Sequence, residues 1–134
     1  MRTDGSRIAV TTRRVVTAMS DPSVRMIGHL SARMIGGRPP IELDLDAVIE
    51  AAEMTGTALE INGALPRLDL SVEALRKARA RDVTLVLTSD AHDARELERV
   101  QFAARNAERA WIPPERVANT WPAERLAAWA IDGS

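Results

Sequence analysis

The sequence predicts an α/β protein in which about four parallel strands alternate with helices. Short apolar runs rich in Val, Ile and Leu alternate along the chain with segments whose apolar residues recur every three or four positions. Strict alternation of this kind implies right-handed crossovers and parallel strands. The 134 residues, 46% of them hydrophobic, suffice for one domain with its own core, so residues 1–134 are treated as a single domain.

Five segments carry the helical pattern. The predicted helices cover residues 11–19 and 46–54, and three more open at Ser71, at Asp93 and after Pro122. Ser71 is a typical N-cap, Gly56 stands where a C-terminal cap belongs, and Asp93 with Glu96 resembles a capping box. The residues expected to face the core are Val15, Val16, Met19, Leu45, Val48, Ile49, Ala52, Leu75, Ala78, Leu97, Val100, Ala104, Ala107, Leu126 and Trp129.

The predicted strands cover residues 24–30, 57–62 and 83–89, with a short fourth strand at 117–119. The first three end in polar groups, and these groups are His29, Glu60, Asn62, Asp90 and His92. Because the carboxyl ends of parallel strands meet at one edge of a sheet, we expect these side chains to share a rim, where ligands bind in such folds.

Asp90 and His92 are the strongest candidates for chemistry. Side chains two residues apart on an extended chain point the same way, and a carboxylate beside an imidazole suits zinc, manganese or iron. His29, the other of the two histidines in the sequence, would complete a set of three metal ligands if it shares the rim with Asp90 and His92. The alternatives are an ordinary strand-to-helix connection at Asp90 and a purely structural role for His29.

Glu60 and Asn62 alternate with Ile61 and therefore face one side of their strand. Glu60 is predicted either to face a cation or to bond a backbone amide or a neighbouring arginine, and Asn62 to bond the adjoining turn. Arg33, Arg38 and Arg67 lie in loops after the strands, where guanidinium groups would suit a phosphate or would pair with acidic residues such as Asp69 and Glu42.

Composition excludes several classes of protein. The net charge of −1 gives no global attraction to nucleic acid, and the absence of cysteine excludes disulfides and thiolate metal sites. There is no glycine-rich phosphate loop, no evident Ser or Cys nucleophile, and no apolar run of membrane-spanning length. We therefore expect a cytoplasmic protein without a membrane partner.

Five short motifs, in order, resemble the C-terminal half of the polymerase-and-histidinol-phosphatase (PHP) domain, above all those of bacterial family X DNA polymerases and free-standing PHP phosphoesterases. They are Ile27-Gly28-His29, Leu59-Glu60-Ile61-Asn62, Pro66-Arg67-Leu68-Asp69-Leu70, Thr88-Ser89-Asp90-Ala91-His92 and Asn119-Thr120-Trp121-Pro122. The resemblance covers nearly the whole chain. It implies part of a (β/α)7 barrel whose rim holds up to three divalent metals, with a phosphatase or 3′-to-5′ exonuclease activity on phosphate esters or nucleic-acid 3′ ends.

Carried over residue by residue, the resemblance makes His29, Asp90 and His92 metal ligands, and it makes Asp90 and His92 catalytic. It places Arg33 and Arg67 near the phosphate, with Glu60 and Asn62 in supporting roles.

The chain departs from the family in lacking the H-x-H strand with which the domain begins, and in the turn that follows His29. It would then bind fewer than three metals and be impaired or inactive as a metal-dependent phosphoric ester hydrolase. Either the start is placed too late, or the chain is a truncated remnant acting as a structural or binding module; a small α/β domain without metal is a third possibility. An unpaired edge of the strand at 24–30 would favour self-association.

Overall fold

A three-stranded parallel sheet forms the centre of the protein, whose computed structural model describes residues 4–133. The strands are β1 (Met26–Ile27), β2 (Ala58–Asn62) and β3 (Leu85–Thr88), in the spatial order β1-β2-β3. Met26 lies opposite Ala58, and Leu59 lies opposite Leu85. The predicted α/β class with parallel strands is confirmed, whereas closure into part of a barrel stays a prediction.

Five α-helices surround the sheet in the part of the chain that is described. They are α1 (Asp4–Met19), α2 (Leu45–Thr55), α3 (Val72–Arg79), α4 (Val100–Arg109) and α5 (Ala123–Asp132). Two predicted caps are confirmed: Ser71 Oγ accepts the Ala74 N–H at 3.2 Å, and Gly56 takes the left-handed conformation with φ +72°. Glycine ends a helix in this way because it has no Cβ to clash with the following carbonyl.

The core gathers around β2, all five residues of which are buried. Leu59 and Ile61 pack with apolar residues contributed by several helices. The helix residues of this cluster include Met19 of α1, Val48, Ile49 and Ala52 of α2, Leu75 and Ala78 of α3, and Ala103 and Ala107 of α4. Up to the end of β3, the residues that form the core are therefore largely those that the apolar periodicity predicts.

After β3 the predicted core positions are partly wrong. Residues Ala94–Arg99 form a 3₁₀ helix before α4 begins. A 3₁₀ helix has three residues per turn rather than 3.6, so the apolar stripe shifts in phase when the chain passes into the α-helix. The buried face of α4 consists of Ala103, Asn106 and Ala107, and the predicted core residues Leu97 and Val100 are 60% and 37% exposed.

The predicted fourth strand is also corrected. Val117 makes one parallel bridge to Leu85, and the chain then turns into a 3₁₀ helix over Ala118–Thr120. The Asn119 side chain continues the sheet instead, because its Oδ1 accepts the Leu87 N–H at 2.8 Å and its Nδ2 donates to the Leu87 carbonyl at 3.0 Å. This amide covers the outer edge of β3.

The last helix packs less closely than its pattern predicts. No residue of α5 is fully buried, and Leu126 is exposed, contrary to its predicted inward position. Trp129 is half-buried against Trp121 in an edge-to-face contact with ring centroids 6.0 Å apart. Arg25 holds the far end of α5 by donating to the carbonyls of Ala130 and Ile131. Within residues 4–133 no helix is long and apolar enough to cross a bilayer.

Candidate functional site

Asn62 is the centre of a hydrogen-bond network at the carboxyl end of the sheet. Its side chain is fully buried at 0% exposure. Nδ2 donates to Asp90 Oδ2 at 3.1 Å and to Glu60 Oε2 at 3.3 Å, while Oδ1 accepts the Ala64 N–H at 2.9 Å. The last bond confirms the predicted role in the adjoining turn. The first two place Asn62 as the link between the end of β2 and the segment after β3.

Glu60 joins the ends of all three strands. Its carboxylate accepts the backbone N–H of His29, which follows β1, and the hydroxyl of Thr88, which ends β3, at 2.6 Å. Of the two roles predicted for Glu60, the structure displays the bond to a backbone amide. Glu60 is 7% exposed, so these donors and Asn62 supply the hydrogen bonds that water would otherwise give to its carboxyl oxygens.

Asp90 lies at the surface end of this network in the left-handed conformation, with φ +51°. Arg67 Nε lies 3.3 Å from Asp90 Oδ2, and the two side chains are 21% and 28% exposed. The second guanidinium nitrogen, Nη1 of Arg67, is buried and has no hydrogen-bond partner among the described residues. An unpaired buried donor of this kind is costly, so the site favours an acceptor that would reach it.

Arg33 supports the loop that carries Arg67. Its Nε donates to the Arg67 carbonyl at 2.7 Å, and its Nη2 donates to the Leu68 carbonyl. Arg38, the third loop arginine, donates to the Ala32 carbonyl at 2.9 Å. The predicted contacts of these arginines with Asp69 and Glu42 are not the ones observed, since Asp69 accepts the Ser31 N–H instead at 3.0 Å. The proximity of Arg33 to a phosphate stays a prediction.

The two histidines lie at the same rim but are bound differently. His92 is exposed, and its Nδ1 lies 2.9 Å from the Asp90 carbonyl oxygen, while its backbone N–H donates to Glu96 Oε2 at 2.8 Å. His29 is also exposed, and its backbone N–H is the group that binds Glu60. No cluster of three or more His, Cys, Asp or Glu side chains arranged to hold a metal occurs within residues 4–133, and the metal assignment stays a prediction.

A shallow pocket of about 250 Å³ opens beside this network. Its polar lining consists of Arg67, Asp90, His92, Glu96 and Arg99, and its apolar lining of Met34, Ala64 and Pro66. Arg99 and Glu96, which the sequence did not single out for this site, form an ion pair at 3.2 Å. The pocket thus combines two guanidinium groups with two carboxylates and an imidazole.

Gly63 sets how closely α4 approaches this rim. A Cβ at this position would lie 2.1 Å from the carbonyl oxygen of Arg99 and 3.0 Å from that of Thr88. Glycine is therefore required for the backbone contact that brings Arg99 next to the pocket. A glycine directly after the strand pair Glu60 and Asn62 was the signal in the sequence that could have revealed this contact.

Next to His92, Asp93 holds the start of the 3₁₀ helix. Its Oδ1 accepts the Arg95 N–H at 2.8 Å, and the Arg95 side chain adds two further contacts. Hydrogen bonds from Arg95 lower the pKa of the Asp93 carboxyl below its ordinary value, and the bond from the Arg95 side chain has a larger effect than the bond from its backbone N–H. Asp93 therefore caps the helix, but the predicted capping box does not form, because its side chain accepts the N–H of Arg95 rather than that of Glu96, and Glu96 binds the N–H of His92 rather than that of Asp93.

Comparison with known proteins gives three relatives of interest, although no family model matches the chain. DNA polymerase/3′-5′ exonuclease PolX of Bacillus subtilis (strain 168) is 39% identical over 107 residues, which are 80% of this chain and 19% of that protein. A probable phosphatase of Syntrophotalea carbinolica is 30% identical over 126 residues, which are 85% of this chain and 48% of the relative.

A second probable phosphatase, from Caldicellulosiruptor saccharolyticus, is 27% identical over 113 residues, which are 81% of this chain and 45% of the relative. The chain therefore spans less than half of the length of each of these proteins. Together the three relatives confirm the resemblance to the PHP-type region that family X DNA polymerases share with free-standing phosphatases.

Proposed function

We propose that the rim formed by β2 and β3 binds the phosphate of a phosphate ester or of a nucleic-acid 3′ end and takes part in its hydrolysis. The observation that carries the proposal is Arg67, whose buried Nη1 lacks an acceptor among residues 4–133 and which lines a pocket together with Asp90 and His92. Phosphate oxygens, like those of a carboxylate, match the geometry of a guanidinium fork. The names of the relatives, which are an exonuclease and two probable phosphatases, support the same class of reaction.

A divalent metal, either zinc, manganese or iron, is proposed to bind through His29, Asp90 and His92. The chemistry of the latter two residues fits such an ion. If His92 Nδ1–H donates to the Asp90 carbonyl, Nε2 keeps its lone pair for a metal. Asp90 is engaged through Oδ2, by Asn62 and Arg67, which leaves Oδ1 as its second oxygen. When bound, the metal would act as a Lewis acid and lower the pKa of bound water.

Four residues of the chain are proposed to position the groups of this site and to supply its positive charge. Asn62 and Glu60 fix the position of Asp90 and the ends of the strands, and Arg33 orients the loop of Arg67 through two carbonyls. Arg67 would stabilise the negative charge of the phosphate, and to do so it would exchange part of its contact with Asp90 for the substrate.

We propose that hydrolysis by this chain alone is weak or absent. Asp90 is already paired with a cation, and no three-ligand cluster is assembled among residues 4–133. Fewer than three metals would bind, and a single ion cannot clamp both the attacking and the leaving oxygen.

Hydrolysis of a model phosphate ester and of a labelled DNA 3′ end, each with added manganese, tests this proposal. We expect turnover close to that of the buffer, and binding of inorganic phosphate that weakens about tenfold in Arg67→Ala, which is the typical effect of losing a charge-assisted hydrogen bond. The matched control is Arg95→Ala, an arginine that pairs with Asp93 outside the pocket. Robust turnover that Asp90→Ala abolishes would show that the chain is a competent enzyme, and phosphate binding that ignores Arg67 would refute the site.

The second candidate is a PHP remnant that serves as a non-catalytic structural or binding module. The ion pair between Arg67 and Asp90 favours this candidate, because Arg67 already neutralises part of the negative charge of Asp90 that a metal would otherwise neutralise. Calorimetric titration with zinc and with manganese separates the two candidates. Heat that is lost in Asp90→Ala but kept in Asp93→Ala supports the metal site, whereas no heat and no thermal shift with either ion support the module.

A further inference from the structure

Trp111 occupies a position that the fold alone does not explain. It follows the C-terminal end of α4 in the left-handed conformation, with φ +59°, and it is 76% exposed. Its N–H donates to the Glu108 carbonyl and the next N–H, of Ile112, donates to Ala107, which is the helix-ending arrangement where glycine is the usual residue. A tryptophan in this conformation costs backbone strain, and its exposed ring contributes little burial energy to offset that cost. We therefore attribute the presence of tryptophan at this position to a function.

Two arginines of α3 flank this ring. The guanidinium carbon of Arg79 lies 5.9 Å from the ring centroid of Trp111, and Arg76, Arg79 and Trp111 line a shallow groove of about 260 Å³. We call these three residues the Trp-Arg groove. Arg76 Nη2 also lies 3.4 Å from the carbonyl oxygen of Arg109.

The basic stretch at 76–81 divides into paired and unpaired cations. Lys77 is bound to Asp46, and Arg81 is bound to Glu53. Neither Arg76 nor Arg79 forms an ion pair with a carboxylate among the described residues. Arginines in the last turn of a helix complement the helix dipole, which explains their presence without ligand. The dipole does not explain an exposed tryptophan beside two arginines that have no acidic partner in the described part of the chain.

The Trp-Arg groove lies at the end of the sheet opposite to the rim. Arg79 ends α3 just before the chain enters β3, and the segment that follows Trp111 reaches Val117, which bridges Leu85 at the start of β3. Asp90 follows the other end of β3. The two sites are therefore separated by the length of a strand and belong to different surfaces.

We propose that the Trp-Arg groove binds single-stranded nucleic acid, with one base stacked on Trp111 and the adjoining phosphates held by Arg76 and Arg79. Aromatic rings beside unpaired guanidinium groups are the elements of such sites, because every base offers a face to stack and every linkage offers a charge. With a net charge of −1 the chain as a whole does not attract nucleic acid, so the attraction is local to this surface. The groove goes beyond the proposed hydrolysis, since binding here needs no chemistry at the rim.

Fluorescence anisotropy of a labelled oligothymidylate with the full chain at low salt tests the groove. Trp111→Gly and Arg79→Ala should each weaken binding by about fivefold or more, and the affinity should fall as salt rises. Arg13→Ala, which removes an exposed arginine from α1, is the charge-matched control and should bind like the unchanged protein. Trp111→Gly should keep or raise the melting temperature, because glycine suits φ +59°, so loss of binding cannot be ascribed to unfolding.

Three results would overturn the proposal. Binding that is equal in Trp111→Gly, Arg79→Ala and Arg13→Ala would remove the groove from recognition. Equal competition by polyglutamate would show a general site for acidic chains. Binding lost in Arg67→Ala but kept in Trp111→Gly would place nucleic acid at the rim, which would support the proposed hydrolysis while refuting this groove.

Discussion

β1 and β2 are neighbours in one sheet, yet they differ in burial and in the number of strands that they pair with. All five residues of β2 are buried, and its polar side chains, Glu60 and Asn62, are fixed by bonds to both neighbouring strand ends. The two residues of β1 are half-buried, and in the described residues they pair with β2 alone. A strand with neighbours on both sides can hold charged and amide groups in fixed geometry, whereas an edge strand leaves backbone groups unpaired.

Beside β1 lies a groove of about 950 Å³, between α1 and the segment at 38–42. Ile27 and Val15 form part of its apolar lining, and Arg7, Arg14 and Arg38 part of its charged lining. The outer edge of β3, by contrast, is covered by Val117 and by the side-chain amide of Asn119. Within the described residues, the edge of the sheet at β3 is therefore covered, whereas the edge at β1 has no neighbouring strand.

The largest expected effect is on the apolar packing of the two strands. Ile61→Ala in β2 should lower the free energy of unfolding by about 4 kcal/mol, because it leaves a cavity in a site with no exposure. The same change at Ile27 in β1 should cost about 1–2 kcal/mol, because its surroundings are half open to solvent. Urea unfolding of both variants measures the difference, and equal costs would contradict the contrast between the strands.

A smaller effect is expected at the amide that links β2 to the rim. Asn62→Ala should cost about 2–3 kcal/mol, because Glu60, Asp90 and the Ala64 N–H each lose a buried partner. Asn119→Ala, an exposed asparagine at the outer edge of β3, is the matched control and should cost about 1 kcal/mol. Thermal unfolding of the two variants decides, and a larger loss at Asn119 would mean that the edge, not the network, holds the strand ends.

The smallest effect is expected from the open edge of β1, through which we propose that the chain self-associates. Sedimentation should show a weak, concentration-dependent dimer that Ile27→Lys disrupts, since a charged residue on an edge strand opposes pairing. Met54→Lys adds the same charge at a 79% exposed site on α2 and should leave association unchanged. A monomer at all concentrations, or equal behaviour of both variants, would exclude this edge as the contact.

Local patterns predicted much of the architecture before the end of β3. The caps at Ser71 and Gly56 and the apolar faces of α1 and α2 depend on neighbours in sequence and were predicted correctly. The parallel orientation of the strands, predicted from the alternation of strands and helices, is also confirmed. The prediction failed after Asp93, where a 3₁₀ turn displaced the apolar stripe, and at Leu126, whose helix finds little surface to cover. Such errors arise where periodicity changes or where tertiary contact decides burial.

For the candidate site, the sequence determined which groups stand at the ends of the strands, because alternation and parallel order bring Glu60, Asn62 and Asp90 to one edge. Only the tertiary structure decided which group each one binds. Arg67 and Asp90 are 23 positions apart in the chain, and their contact at 3.3 Å depends on the loop that Arg33 holds. Hydrogen bonds and ion pairs require ångström-scale positions, and those positions come from packing of distant segments rather than from local pattern.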